Sequence, residues 1–227
     1  MTTFRKLCLG GLAAFVLAGC DTTGTNNALS FLATGEEAPN LALARTTVAG
    51  GDVTVLGPDG YCVDASTQRS TRTTGFATLA SCNILSGGQS GPIVEPGIVT
   101  VTVQPAGDTA PTMAALAAAI GTELLAENEM SAVTVGQMAT GGESAFDGSD
   151  ARHWRGVFEM NGHIVGLALY APKDSPLVGA QGAAFLNTVS SRIRANSTAQ
   201  DPSAEQSQNT EDPVATTLSR LFGNNDL

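Results

Sequence analysis

Between Arg152 and Tyr170, two strand-like runs flank the dipeptide Asn161-Gly162. Asn-Gly is the preferred pair for a two-residue type I′ hairpin turn, because both central residues need positive φ. So short a turn fixes the register, and Met160 must lie opposite His163. Side chains alternate across a strand, so the register also assigns faces. Trp154, Phe158 and Met160 fall on one face with Val165, Leu167 and Leu169. Arg155 and Glu159 fall on the other, as does His153 beside Tyr170. Val157 and Ile164 share that second face, which is therefore mixed and only partly exposed. The agreement of turn and pattern commits the chain to an antiparallel sheet with one apolar face.

The remaining elements are weaker but consistent. Val53 to Leu56 predicts a short strand, Pro58-Asp59-Gly60 a turn, and Tyr61-Cys62-Val63-Asp64 the start of another strand. A polar stretch from Ser66 to Thr74, with Arg69 and Arg72, leads to a strand at Phe76 to Leu79. After a Gly/Pro-rich loop, Gly87 to Gly97, the β-branched run Ile98 to Val103 is a strong strand. Pro111-Thr112 predicts a helix start. Met113, Leu116, Ala117, Ile120 and Leu124 make one apolar stripe at helical spacing. Ala132 to Gln137 returns to strand. A last helix is expected over Leu177 to Ala195, with Phe185, Leu186, Val189 and Ile193 on one face and Arg192 and Arg194 toward its C-terminal end. Strands, helix, strands, helix give an α+β domain: an antiparallel sheet with two main helices packed on it.

The N-terminus sets the address. Arg5 and Lys6 precede an apolar run, Leu7 to Leu17, and then Leu17-Ala18-Gly19-Cys20. The run has 11 residues, whereas a membrane span needs about 20. A basic start, a short apolar run and small residues describe a secretory signal. The order Leu-Ala-Gly-Cys resembles a lipobox, the bacterial lipoprotein signal. The resemblance implies cleavage after residue 19 and acyl chains, palmitate among them, on Cys20. Each buried methylene contributes about 0.8 kcal/mol, so two or three chains give stable attachment without a span. The expected location is the bacterial cell envelope, with the domain in the periplasm and the choice of inner or outer membrane open.

Of the 11 Lys and Arg, two lie in the signal, so 9 basic residues remain beside 21 acidic ones, a net charge of −12. Such a chain is repelled by phosphate backbones and by anionic lipid surfaces, and nucleic acid is excluded as an expected partner. Four cysteines occur in all. Cys8 is in the signal and Cys20 carries lipid, which leaves Cys62 and Cys82. In an exported chain two such cysteines suggest a disulfide. If the strands holding them pair across the polar loop, they meet near its base.

The chain divides into a signal (1–19), a flexible tether from lipidated Cys20 (20–47), a globular α+β domain (48–196), a linker expected to be disordered (197–212) and a C-terminal segment (213–227). A flexible tether of about 25 residues has an r.m.s. span on the order of 25–30 Å, which keeps the domain near the bilayer. In the last segment Val214, Leu218, Leu221 and Phe222 recur at i, i+4, i+7 and i+8. They predict a short amphipathic helix that could dock on an envelope protein or fold back on its own domain.

The element order of residues 48–196, with the exported setting, resembles the Mog1/PsbP-like fold. Gly60-Tyr61-Cys62-Val63-Asp64 with the later Cys82 also resembles uncharacterised envelope lipoproteins of Gram-negative bacteria. Neither resemblance implies an activity.

Catalytic signals are sparse. Gly88-Gln89-Ser90-Gly91-Pro92 lacks the acid before the serine and the second glycine after it that mark trypsin-like proteases, and both histidines come later in the chain. It is not a Gly-x-Ser-x-Gly elbow either. His153 and His163 fall on opposite faces of the hairpin, and His163 follows a tight turn, where an exposed imidazole is ordinary. Asp52, Asp59 and Asp64 do not have the spacing of a calcium loop. No catalytic residue, cofactor or metal site is expected. The expectation is a non-catalytic interaction or assembly module of the envelope. The alternative is a periplasmic binder of a small molecule or lipid, and an unrecognised hydrolase comes third.

Overall fold

The computed structural model of the chain describes residues 41–197. Its strands in chain order are β1 (Ala42–Leu43), β2 (Thr46–Val48), β3 (Val53–Val55), β4 (Tyr61–Asp64), β5 (Arg69–Ser70), β6 (Gly75–Ser81), β7 (Ile98–Pro105), β8 (Leu124–Glu129), β9 (Thr134–Met138), β10 (His153–Met160) and β11 (His163–Tyr170). Three helices accompany them: the single turn α1 (Cys82–Leu85), α2 (Met113–Ala119) and α3 (Ala180–Asn196).

The β10–β11 hairpin forms in the expected register, Met160 opposite His163 and Trp154 opposite Leu169. Its turn has φ of 48° at Asn161 and 74° at Gly162, the left-handed pair that a type I′ turn requires. β11 pairs along its whole length with β7, and the sheet runs β1-β4-β6-β7-β11-β10-β9-β8, antiparallel throughout, with β5 beside part of β6. β2 and β3 make a separate two-stranded ribbon.

Alternation along β7 sends Val99, Val101 and Val103 inward, where they join Trp154, Phe158, Val165, Leu167 and Leu169 in one core. α3 closes that core with Leu186, Val189 and Ile193, all fully buried. The β2–β3 ribbon adds Val48, Val53 and Val55 to the same core. Ser197 fastens the ribbon to the end of α3, its hydroxyl accepting from the Thr54 N–H at 2.8 Å. On the opposite face α2 buries Met113 and Ala117 against Met138 and Val157. The architecture is thus α+β, a large antiparallel sheet covered by helices on both faces.

β4 and β6 pair antiparallel, Cys62 opposite Ala80, and Cys82 follows at the start of α1. Cys62 and Cys82 are joined, with S–S 2.04 Å and Cα–Cα 4.9 Å.

Several expectations need correction. The helical stripe does not reach Leu124: α2 ends at Ala119, and Gly121 turns the chain at φ 70°. Leu124 comes back to the same apolar cluster from strand β8, so the spacing coincided with a different geometry. Pro111 lies before the helix, and the cap is Thr112, whose hydroxyl accepts from the Ala115 N–H at 3.1 Å. The last helix begins at Ala180, after a 3-10 turn at Pro176–Val178. Inside the stretch expected as tether, Ala42–Leu43 pairs with β4 and Thr46–Val48 with β3. These strands are too short to show a period and owe their state to their partners. Residues 1–40, with Cys20, and 198–227, with Val214, Leu218, Leu221 and Phe222, lie outside the described residues.

Candidate functional site

Helix α3 crosses the inner face of the sheet over β9, β10 and β11, and β8 lies beyond it. β8 is the end of the strand order, so among the described residues one of its edges is unpaired. Ala126 and Asn128 of β8 and Gln137 of β9 face the same side as Trp154 of β10. Together with the first half of α3 they enclose an open groove of about 590 Å³. Trp154 sits deep in its wall, buried, with Nε1 donating to the carbonyls of Val178 and Gly179, each at 3.1 Å. Gly182 makes that approach possible: a Cβ there would stand 2.5 Å from Trp154 Cδ1 and 2.1 Å from the Leu177 carbonyl oxygen. The Gln137 side-chain amide donates to Val178 at 2.6 Å, and Asn187 accepts from the Ala132 N–H at 3.0 Å. The floor is therefore held rigid by hydrogen bonds, while Ala126, Asn128 and Ala180 present a half-open rim. An unpaired strand edge beside such a groove can take an extended peptide by strand addition, with side chains entering the groove.

A second polar cluster lies on the opposite face. Arg155 Nε donates to His153 Nε2 at 3.1 Å, and its Nη2 donates to the Tyr170 hydroxyl at 3.2 Å. The His153 and Tyr170 rings stack at 5.2 Å. Burial, then the neighbouring Arg155 charge, lowers the His153 pKa to about 4, so the ring is neutral at pH 7. With Nε2 accepting, Nδ1 carries the proton; that atom is buried, and the Ala151 backbone is its polar neighbour. Among the described residues no carboxylate pairs with Arg155. Arg155 lines a crevice of about 120 Å³ with Thr100, Thr102 and Gly166 of the sheet, Leu116 of α2 and Ile120 just after it.

The other histidine departs from expectation. His163 is buried, and its Nε2 lies 2.9 Å from Asp52 Oδ2. The Asn161 side-chain amide donates to the Asp52 carbonyl at 2.8 Å. The tight turn of the long hairpin thus clips the loop joining β2 to β3, and the ribbon covers the ring. Asp59 pairs instead with Arg192 at 2.7 Å, and Asp64 accepts from the N–H and hydroxyl of Ser66. The three aspartates serve three separate contacts, and no group of three ligating side chains that could hold a metal occurs among the described residues. Ser90 is exposed; its N–H donates to the Ser86 hydroxyl at 2.8 Å and its carbonyl accepts from that hydroxyl.

Sequence reasoning found the hairpin faces but missed the groove. Its signal was faint: β8 reads as half-exposed polar sequence, Ala126 to Glu129, without alternation. The Arg155–His153–Tyr170 cluster was legible as a shared face, though not as a bonded group. Comparison with protein-family models, with characterised proteins and with solved structures finds no significant match.

Proposed function

We propose that this chain is a lipid-anchored, non-catalytic interaction module of the bacterial cell envelope, with its domain in the periplasm. The observation that carries the reading is the open groove between α3 and the unpaired edge of β8. A groove of that volume, with a rigid aromatic floor and an adjacent strand edge, suits an extended segment of a partner protein. The tasks of the two histidines support a non-catalytic role: the Nε2 atoms are taken up by Arg155 and Asp52, and the Nδ1 atoms are buried. The Cys62–Cys82 bond suits an oxidising compartment. The lipobox order before Cys20 supports the anchor. The Mog1/PsbP-like resemblance belongs to the same proposal; it rests on element order and brings no activity.

Two experiments test this. Cys20→Ser should abolish lipid labelling and release the protein from membranes; unchanged labelling sinks the anchor. Affinity capture from detergent-solubilised membranes, followed by mass spectrometry, should recover a protein that is lost with Ala126→Arg. A second reading, a binder of a small anionic ligand, is favoured by Arg155, which lines its crevice and has no carboxylate partner among the described residues. Calorimetric titration with short monocarboxylates against wild type and Arg155→Gln separates it from the first.

A further inference from the structure

The largest exposure of a big apolar side chain among the described residues is at Ile93, 90% accessible, in the loop between α1 and β7. Ile84 of α1 is 42% exposed and Leu43 of β1 is 38% exposed. Scattered surface hydrophobes need no explanation. These differ in two respects, their position and their electrostatics.

The position is where the chain emerges toward Cys20. Leu41, the first described residue, donates its N–H to the Leu85 carbonyl of α1 at 3.3 Å. α1 and the loop after it therefore sit beside the point from which the segment leading to the anchor departs. Twenty residues separate Cys20 from Leu41, so an anchor on Cys20 keeps this side of the domain within reach of the bilayer.

The electrostatics single out the same place. In a chain with net charge −10, no charged side chain occurs from Thr73 to Val94. Two acids near the patch among the described residues are engaged: Asp59 with Arg192, and Glu95 Oε1 with the Ser175 hydroxyl at 2.7 Å. The loop is also built rather than slack. The Tyr61 hydroxyl donates to the Glu95 carbonyl, and Ser86 brackets Ser90 through two hydrogen bonds. Gly91, at φ 82°, passes so close to Cys82 that a Cβ would stand 2.7 Å from the cysteine's own. The fixed backbone holds Ile93 outward, away from its own core.

We propose that the Ile84–Ile93 patch is a bilayer contact, in which these side chains enter the headgroup region and orient the domain on the membrane that holds its anchor. The proposal rests on the lipid-anchor reading. An anchored domain meets the surface at high effective concentration, so a few apolar side chains suffice where they would not recruit a free protein. With the patch against the lipid, the hairpin end at Asn161 points away from it: β7 separates the two ends by eight residues, about 25 Å.

The test uses the mature, lipidated full chain in phosphatidylcholine vesicles, with and without brominated lipid. The chain's one tryptophan, Trp154, is buried and serves as a constant background. Ile93→Trp adds a probe at an exposed position that touches no core, and Asp108→Trp, beyond the far end of β7, is the control. Co-flotation reports the anchor, and emission reports the loop. Blue-shifted emission of Ile93→Trp, quenched by brominated lipid while Asp108→Trp stays unquenched, supports the contact. Co-flotation with no quenching of Ile93→Trp, or equal quenching of both probes, overturns it and leaves the anchor intact. Failure to co-float overturns both readings.

Discussion

Arg155 and His153, two residues apart on one strand, are joined by a hydrogen bond in which the arginine donates Nε–H to the imidazole Nε2 at 3.1 Å. The bond exists only while the ring is neutral, because a protonated Nε2 has no lone pair to offer. Tyr170 completes the arrangement, stacking on the ring and accepting from the same guanidinium.

This makes the domain acid-sensitive in a defined window. The His153 pKa falls from 6.5 to about 4 on folding, so the unfolded chain binds the extra proton first as pH drops. The stabilisation is complete above pH 6.5 and is lost as pH falls toward 4, on the order of 3 kcal/mol in all. Urea unfolding between these limits should show a loss for wild type that His153→Gln does not share. Parallel slopes for the two proteins would remove His153 as the cause.

Reduction of the Cys62–Cys82 bond should cost about 3 kcal/mol, the chain-entropy value for a loop with a separation of 20 residues. The paired variant Cys62→Ala, Cys82→Ala should keep the far-ultraviolet dichroism of the parent and unfold at lower urea. Free thiols in the denatured, unreduced wild type would refute the bond.

Gly182→Ala tests the close approach of α3 to Trp154. The added methyl overlaps the Leu177 carbonyl oxygen and the indole edge. Overpacking of this kind typically costs about 1–3 kcal/mol. We expect a lowered melting temperature and an altered Trp154 emission, and an unchanged melt would mean that the helix start shifts freely.

Deletion of residues 213–227 addresses Val214, Leu218, Leu221 and Phe222. If these residues dock on a partner, the truncated protein melts as wild type does and loses co-purifying proteins. A large fall in melting temperature would assign the segment to the domain's own core.

What could be foreseen tracks how local each feature is. Asn161-Gly162 determines register within two residues, so the hairpin faces, including His153 beside Tyr170, were readable in advance. Cys62 and Cys82 were readable because strands on either side of one polar loop bring them together. β8 and the β1 and β2 segments were not, since their strand state comes from partners distant in sequence. Leu124 misled because it meets Met113 in space while belonging to another element. His163 was expected to be exposed from its turn, and only the covering ribbon with Asp52 explains its burial. The groove needed the end of the strand order and the path of α3, and neither is encoded in a short window.

The central claim is that the groove between α3 and β8 holds a partner. The most direct measurement is quantitative capture from solubilised membranes with wild type, Ala126→Arg and Ala180→Arg, the last two at rim positions that are half-buried and exposed. Both variants should melt within a degree or two of wild type, since surface substitutions typically stay within about 0.5 kcal/mol. The account predicts that a protein recovered by wild type is lost with both rim variants. Recovery of the same proteins in the same amounts by all three would contradict it.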